Sequence, residues 1–366
     1  MPQITEQNRA IWQALYNAID QFQTLKPWTW LLESMIFAVK SPYSNNIGYC
    51  SVMGFAGEHF ALAVYLNRNG LATFLEMRAA SMNPNNEQLD FNYLRELALF
   101  EQDCFMVAFE TKKYITEDDE ATMQQLDRKY KPRTRRPQIR YHEPSYLPWY
   151  ITDAQVEELT AFIEQTIVVA KMTKKNPALL MQTPEHEAIY TRIPSQIANE
   201  STWTDAWINP FEEEEEAPNA ANEHKVFKLV YPQRVNQIKK DLKQTNAALI
   251  MALCPIPSAV TSNTEAKPFY AQLLLSMDYE SGEALIMDMK SAMLSPKQLT
   301  NNFDEAFFTQ LEKLGFIPKK IMVNQETIEE LLIAPCKALN IELIYDEEDE
   351  NLMAVDFFME QIKMLI

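Results

Sequence analysis

A short basic segment followed by aromatic residues is the part of this sequence whose residue types are best suited to binding chemistry. Seven cations lie between Arg128 and Arg140, and two prolines interrupt them. Arginine and lysine bind phosphate and aromatic rings stack on unpaired bases, so this composition predicts contact with a nucleic-acid backbone. The candidate binding residues are Arg133, Arg135, Arg136, Arg140, Tyr141 and Trp149.

The same arginines have a second interpretation, in which they pair with acidic residues of this chain. The chain has 33 Lys and Arg against 51 Asp and Glu, and its formal net charge of −18 opposes nonspecific binding to phosphate backbones. Acidic residues at 117–120 precede the basic segment, and five consecutive glutamates occupy 212–216. We favour internal pairing, with the acidic helix or the glutamate run, over nucleic-acid binding. A further hypothesis is that the glutamate run covers the basic segment until a partner displaces it.

The cysteine and histidine patterns point to no metal and no cofactor. Cys50, Cys104, Cys254 and Cys336 lie far apart, without the C-x-x-C spacing of zinc sites. No two of the four histidines have helical i, i+3 or i, i+4 spacing, and the common glycine-rich nucleotide fingerprints are absent. We therefore expect buried, reduced thiols, and we assign neither a cofactor nor a metal site.

The elements that must position the basic segment begin with an amphipathic helix at 5–25, where apolar residues recur at spacings of three and four. Four of the six glycines, Gly48, Gly54, Gly57 and Gly70, predict positive φ angles or close backbone approach in the region that follows. We assign 1–210 to an N-terminal α+β domain. Its further elements are strands at 35–40, 48–53, 59–66 and 104–110 and helices at 71–80, 117–128 and 152–172.

Residues 211–224, rich in glutamate and alanine, have the composition of an acidic linker. We assign 225–366 to a C-terminal domain with a mixed α/β sheet, in which the later strands are parallel. A turn at 279–282 predicts an antiparallel hairpin. The predicted elements are strands at 225–231, 247–256, 269–277, 284–290, 320–323 and 342–345 and helices at 235–245, 302–314, 326–339 and 352–365.

Short motifs in both halves of the chain resemble a family of uncharacterised bacterial proteins. The N-terminal motifs include LKPWTW at 25–30 and GYCSVMG at 48–54. The C-terminal motifs, LGFIP at 314–318 and IMV at 321–323, look like a second domain that accompanies the first. The resemblance implies two paired domains of unknown function, covers most of the chain and brings no catalytic residues.

The element order of the C-terminal domain is also similar to the ribonuclease H-like fold. That resemblance implies acidic side chains that hold two metal ions for phosphoryl transfer. The matching positions are Asp278, Asn324 and either Asp356 or Glu360. Asn324 departs from the pattern, because an amide supplies one carbonyl ligand and no negative charge. We therefore favour a non-catalytic relative of that fold.

The favoured interpretation is a soluble cytoplasmic protein of two α+β domains that acts as a non-enzymatic binding or interaction module. We expect no signal peptide and no membrane span, because the first residues lack a basic-then-apolar run and no apolar stretch approaches eighteen residues. The partner stays open, with a protein ahead of nucleic acid and no membrane. One alternative is a metal-dependent nuclease or phosphoryl-transfer enzyme that uses Asp278 with Asp356 or Glu360. The other is nucleic-acid binding through the basic loop 128–140.

Overall fold

The computed structural model describes residues 2–82, 91–181, 187–197, 200–212, 229–262, 266–285, 293–346 and Val355. The chain divides into two compact units. Unit 1 comprises residues 1–144 and 148–213, and unit 2 comprises 145–147 and 214–366. Each unit combines helices with a mixed sheet, so the predicted α+β class is confirmed. The domain boundaries at 210 and 225 stay predictions.

A seven-stranded sheet forms the framework of unit 1. Its strands are β1 (Phe37–Lys40), β2 (Ile47–Met53), β3 (Ala61–Leu66), β4 (Cys104–Glu110), β5 (Arg136–His142), β6 (Ile189–Ile197) and β7 (Glu200–Ile208). They lie in the order β5-β4-β3-β2-β1-β6-β7, and only β1 and β6 are parallel neighbours. The four predicted strands correspond to β1 to β4. The β6–β7 hairpin has no counterpart in the prediction, because polar residues interrupt its apolar pattern.

Helices cover the two faces of this sheet. They are α1 (Arg9–Leu25), α2 (Asn67–Met82), α3 (Phe91–Glu96), α4 (Glu117–Gln125) and α5 (Asp153–Lys175). Trp12, Leu15, Ile19 and Phe22 of α1 share one stripe and pack into a core with α5 and one face of the sheet. Leu71 of α2 belongs to a smaller core on the opposite face. The burial of these stripes explains why local periodicity located α1 and α5 correctly.

The basic segment differs from the predicted loop over part of its length. Residues 136–142 form the edge strand β5, which pairs antiparallel with β4, so that Arg136 lies opposite Glu110 and Arg140 opposite Met106. The loop prediction is wrong for this part, because the high arginine content obscured a strand in which Ile139 is buried and its neighbours on the other face are polar. Arg136 and Arg140 consequently lie on the same face of β5.

Two glycines show why the region around β2 and β3 needs residues without a side chain. Gly54 has a φ of 114°, in the region that favours glycine. A Cβ atom on Gly70 would lie 2.6 Å from the Asp103 carbonyl oxygen, far inside van der Waals contact. The prediction of positive φ or close approach is confirmed at both positions.

Unit 2 has a five-stranded mixed sheet and a two-stranded ladder. The strands are β8 (Lys243–Gln244), β9 (Ala248–Val260), β10 (Phe269–Asp278), β11 (Met293–Leu294), β12 (Phe316–Ile317), β13 (Lys320–Val323) and β14 (Glu342–Tyr345). The large sheet has the order β11-β10-β9-β13-β14, and β8 pairs with β12. Neighbours from β11 to β9 are antiparallel, and β9, β13 and β14 are parallel. The predicted mixed sheet with parallel later strands is confirmed.

Three helices pack on one face of this sheet. They are α6 (Pro232–Asp241), α7 (Pro296–Leu314) and α8 (Glu326–Leu339). The Ser295 side chain caps α7, and the backbone of α7 is non-helical at Asn302, with a φ of −154°. The predicted helix from Asn302 therefore matches the part of α7 after this kink, and the turns at 296–301 were not predicted. The predicted helix 352–365 lies outside the described residues except for Val355, as does most of the predicted strands 225–231 and 284–290.

The four cysteine thiols are free and buried, as predicted. Burial raises the pKa of Cys50 to about 12 and also raises the pKa of Cys104 and Cys336. Because the thiolate is the reactive form, we expect no rapid reaction with Ellman's reagent at pH 8 in the folded protein. All four should react after unfolding in guanidinium. A thiol that reacts rapidly in the folded protein contradicts this assignment.

Candidate anion-binding groove

Two of the predicted binding arginines form ion pairs with the acidic helix α4. The Arg140 guanidinium donates to both carboxylate oxygens of Asp119, at 2.8 and 2.9 Å. Arg136 donates to Glu120. Burial by itself raises the pKa of Asp119, but hydrogen bonds and charge from Arg140 outweigh it and lower that pKa below its usual value. The expected pairing with the preceding acidic helix is therefore found for both arginines, whose charges are already neutralised.

Tyr141 and Trp149 lie beside each other at the end of β5. The backbone N–H of each donates to the carbonyl oxygen of the other, at 2.8 and 2.9 Å. The Tyr141 hydroxyl donates to Asp103 at 2.9 Å, and the Tyr141 ring packs 5.1 Å from the ring of Phe105. The Trp149 ring lies 5.5 Å from that of Tyr150. Both predicted binding aromatics thus have packing partners within unit 1.

Arg133 and Arg135 form no ion pair with any described residue. The Arg133 side chain is exposed, whereas Arg135 is half-buried. The Arg135 guanidinium carbon lies 4.8 Å from the centre of the Phe60 ring, and Nη1 donates to the Phe109 carbonyl oxygen at 3.1 Å. That hydrogen bond uses one of five guanidinium N–H donors. Arg135 is therefore held in position while most of its donors stay available.

Arg135 lines a groove of 490 Å³ on unit 1, which we call the Arg135 groove. This volume lies within the range of small-molecule binding sites. The lining residues come from the end of α1, the 3₁₀ helix Pro27–Thr29, the β2–β3 turn and the residue before β5. They are Gln23, Lys26, Trp28, Thr29, Gly54, Phe55, Gly57, Phe60 and Arg135.

An aromatic cluster supports the floor of the Arg135 groove. The Trp28 ring lies 5.1 Å from that of Phe60, 5.6 Å from that of Phe109 and 5.8 Å from that of Phe22. Trp28 is only 8% exposed. Because each of these rings is held by the others, Phe60 presents a fixed surface on which the guanidinium of Arg135 lies.

Two backbone features position the other side chains of the groove. Lys26 ends α1 in a left-handed conformation, with a φ of 54° and its N–H donating to the Phe22 carbonyl oxygen. In the β2–β3 turn, the N–H of Gly57 donates to the Gly54 carbonyl oxygen at 3.0 Å. This turn carries Phe55, whose side chain is 55% exposed. The groove is thus bordered by an exposed cation and an exposed ring.

The charge of the Arg135 groove is opposite in sign to that of the whole chain. Its nine lining residues include the cations Lys26 and Arg135 and no aspartate or glutamate. Lys26, like Arg135, forms no ion pair with a described residue. Two unpaired cations beside aromatic faces can bind a ligand that carries both negative charge and a planar ring.

The candidate metal ligand Asp278 of unit 2 organises a turn. Its Oδ1 accepts hydrogen bonds from the N–H groups of Glu280 and Ser281 and from the Ser281 hydroxyl. The Asp278 N–H donates to the Glu283 carbonyl oxygen at 2.9 Å, and Met277 forms an antiparallel bridge with Ala284, so the predicted turn at 279–282 is found. Most of the strand predicted after this turn lies outside the described residues. Hydrogen bonds from Ser281 lower the pKa of Asp278. The carboxylate is therefore occupied in shaping residues 278–282.

Strand register separates Asp278 from Asn324. Asp278 lies opposite Leu249 of β9, and Leu249 lies beside Ile321 of β13. Asn324 lies three residues beyond Ile321, and two strand spacings separate β10 from β13. At about 3.3 Å per residue and 4.8 Å per strand, the Cα atoms of Asp278 and Asn324 are roughly 14 Å apart. That distance is too great for one metal ion.

The remaining candidate ligands, Asp356 and Glu360, lie outside the described residues. Within the part of the chain that the structure describes, no group of three or more His, Cys, Asp or Glu residues could hold a metal ion. The described part of unit 2 therefore gives no support to the metal-dependent alternative.

Family comparisons match both halves of the chain. Residues 12–192 match the model of a domain of unknown function, DUF7309, and residues 234–363 match that of a second, DUF6930. The two matched regions follow one another and together span most of the chain. The predicted pairing of two domains of unknown function is confirmed. No curated protein and no solved structure matches the chain, so the ribonuclease H-like topology of the DUF6930 region stays a prediction.

Among the described residues of both regions, no helix has the length and apolar character needed to cross a lipid bilayer.

Sequence reasoning identified Arg135 as a binding candidate but missed the residues around it. Lys26, Phe55 and Phe60 belong to the DUF7309 region, more than 70 positions before Arg135. The sequence feature closest to these residues was the glycine-rich stretch that contains Gly54 and Gly57. It predicted tight turns but not which residues those turns contact. Only the strand order and the packing of α1 bring these residues to Arg135.

Proposed function

We propose that the DUF7309 domain is a non-enzymatic binding module whose Arg135 groove takes a nucleoside phosphate, either free or as part of a nucleic-acid strand. The observation that carries the proposal is the pair of cations, Lys26 and Arg135, in a groove whose described lining contains no carboxylate. The nearby Arg136 and Arg140 are neutralised by α4, so they do not share this role.

The chemistry of the groove fits both parts of such a ligand. A phosphate group can accept hydrogen bonds from the free guanidinium donors of Arg135 and from the Lys26 ammonium. Phe55, exposed at the border of the groove, offers a face on which a base can stack. Stacking of this kind contributes about 1–3 kcal/mol per base when tested by alanine substitution.

The groove residues support binding without catalysis. The nine lining residues include no carboxylate, imidazole or thiol, the groups that most often act as general acids, general bases or nucleophiles.

Four free cysteines support a place in the cytoplasm, because disulfides are rare in that reducing compartment. This role leaves other surfaces of the chain available for protein partners.

The proposal predicts that Arg135→Gln weakens ATP binding at least about tenfold, because a charge-assisted contact is lost. The measurement is calorimetric titration of the full chain with ATP in EDTA, beside adenosine and inorganic tripolyphosphate. The wild-type protein should bind ATP more tightly than either fragment, and its affinity should fall as salt rises. The same titration with an octanucleotide of dT tests whether the ligand is part of a nucleic-acid strand. If the oligonucleotide binds more tightly than ATP, the ligand is a strand rather than a free nucleotide.

Arg133→Gln is the matched control, because Arg133 belongs to the same basic segment but does not line the groove. It should change ATP affinity less than about twofold. Lys26→Gln, at an exposed position, tests the groove without disturbing the packing of Arg135 on Phe60. Equal losses in Arg133→Gln and Arg135→Gln indicate general attraction to the basic segment and contradict the proposal. Absence of ATP and oligonucleotide binding, or hydrolysis of ATP, also contradicts it.

A further inference from the structure

A second cavity lies elsewhere in unit 1, between α2 and one end of the sheet. Its volume is 350 Å³. It is bordered by α2, by residues just before β1 and β6, and by the end of β7. We call it the α2 cavity. None of its lining residues lines the Arg135 groove, so the two sites are separate.

The lining of the α2 cavity is mainly apolar. Leu71 and Leu75 of α2 face it, together with Ile36, Trp207 and Phe211. Leu71 is fully buried, whereas Leu75 is 36% exposed, so the apolar surface extends from the core to the mouth. A cavity of this size and lining fits an apolar ligand body with one polar end.

Arg78 supplies the polar anchor of the α2 cavity. Its side chain is partly buried on α2, lines the cavity and forms no ion pair with any described residue. The guanidinium of Arg68, on the same helix, lies 5.4 Å from the centre of the Phe211 ring. Among the described residues of the lining, Glu187 is the only acidic one, and it is exposed. The helix side of the cavity is therefore positively charged.

We propose that the α2 cavity binds an amphipathic carboxylate, with an acyl chain against the apolar lining and a single carboxylate at Arg78. A guanidinium matches a carboxylate through two parallel hydrogen bonds. A phosphate monoester carries about −1.5 to −2 charges at pH 7, more than one guanidinium balances, and Glu187 repels the excess. This inference is independent of the nucleoside phosphate proposed for the Arg135 groove.

Calorimetric titration of the full chain with decanoate, below its micelle concentration, tests the proposal. Wild-type protein should bind decanoate, and Arg78→Gln should weaken this binding at least about tenfold. Decanol, which keeps the chain without the charge, should bind the wild type and Arg78→Gln with equal affinity. Arg78→Lys keeps the charge without the planar fork and should give an intermediate affinity.

Two controls locate the decanoate. Arg9→Gln removes a cation that lines neither site and should leave decanoate affinity unchanged. Trp207 lines the cavity, so decanoate should change the tryptophan emission of the wild type but not that of Trp207→Phe. Unchanged decanoate affinity in Arg78→Gln overturns the proposal, as does an emission change that persists in Trp207→Phe. Loss of binding in Arg135→Gln alone places decanoate in the other groove and also overturns it.

Discussion

Replacing Arg140 by glutamine is expected to lower the free energy of unfolding of unit 1 by about 3–5 kcal/mol, the range for removing one partner of a buried ion pair. The Arg140 side chain is 13% exposed and that of Asp119 is 8% exposed. The variant therefore leaves a buried carboxylate without its cation. It also removes the contact between the Arg140 guanidinium and the Tyr150 ring, at 4.5 Å. Chemical denaturation followed by circular dichroism measures the change.

The matched control for this substitution is Arg9→Gln. Arg9 pairs with Asp127 at 2.7 Å, but the two side chains are 38% and 84% exposed, so the expected loss is less than about 1 kcal/mol. Equal losses in the two variants contradict a special role of the Asp119–Arg140 pair.

The same ion pair predicts a dependence of stability on pH. The pKa of Asp119 is lower in the folded state than in the unfolded chain. Its contribution is therefore present in full above the unfolded pKa, about 4, and is lost as the pH falls through the folded value. The wild-type protein should lose more stability than Arg140→Gln as the pH falls through this window. Parallel losses in the two proteins contradict the assignment.

Replacing Gly70 by alanine is expected to destabilise unit 1 by about 1–3 kcal/mol, the range for overpacking. Helix propensity alone predicts the opposite sign, because alanine is favoured over glycine inside a helix by about 1 kcal/mol. Gly70 lies in α2, but its Cβ atom would lie 2.6 Å from the Asp103 carbonyl oxygen. The Asp103 oxygen is a backbone atom, and the N–H of Leu66 already donates to it. It cannot move without disturbing the approach between the ends of β3 and β4.

The control for Gly70→Ala is Ala72→Gly, two positions later on an exposed part of α2. Removing this methyl group should cost about 1 kcal/mol through helix propensity alone. Thermal and chemical unfolding of both variants separate the two effects. A stabilised Gly70→Ala protein shows that the backbone at Asp103 adapts, which contradicts the close approach seen in the structure.

The division of the basic segment is the result that most changes the functional interpretation. From composition alone, the arginines of the basic segment are a single group that either binds polyanions or pairs with acidic residues. In the folded chain, Arg136 and Arg140 pair with α4, while Arg133 and Arg135 have no carboxylate partner among the residues that the structure describes. The two interpretations therefore apply to different residues. A binding experiment that mutates the whole segment cannot separate them, whereas single substitutions can.

The local spacing of apolar residues was enough to locate the helices and strands whose buried residues recur at a regular interval. The predicted strands 104–110, 320–323 and 342–345 and the helix 326–339 coincide with β4, β13, β14 and α8. Pattern failed where polar residues occupy a strand, as in β5 and the β6–β7 hairpin. There, pairing with a neighbouring strand, rather than the strand's own apolar period, stabilises the extended backbone.

The amino-acid sequence alone was enough to predict the α+β class and the helices and strands whose apolar residues recur at a regular spacing. Each of these depends on residues close together in the chain. The sequence also placed cations next to aromatic residues at 128–150. Only the tertiary structure decided which of those cations are paired. It joined Lys26, Phe55 and Arg135 in one groove and separated Asp278 from Asn324. Such contacts depend on strand order and register, which are set by packing across the whole unit and not by any local period.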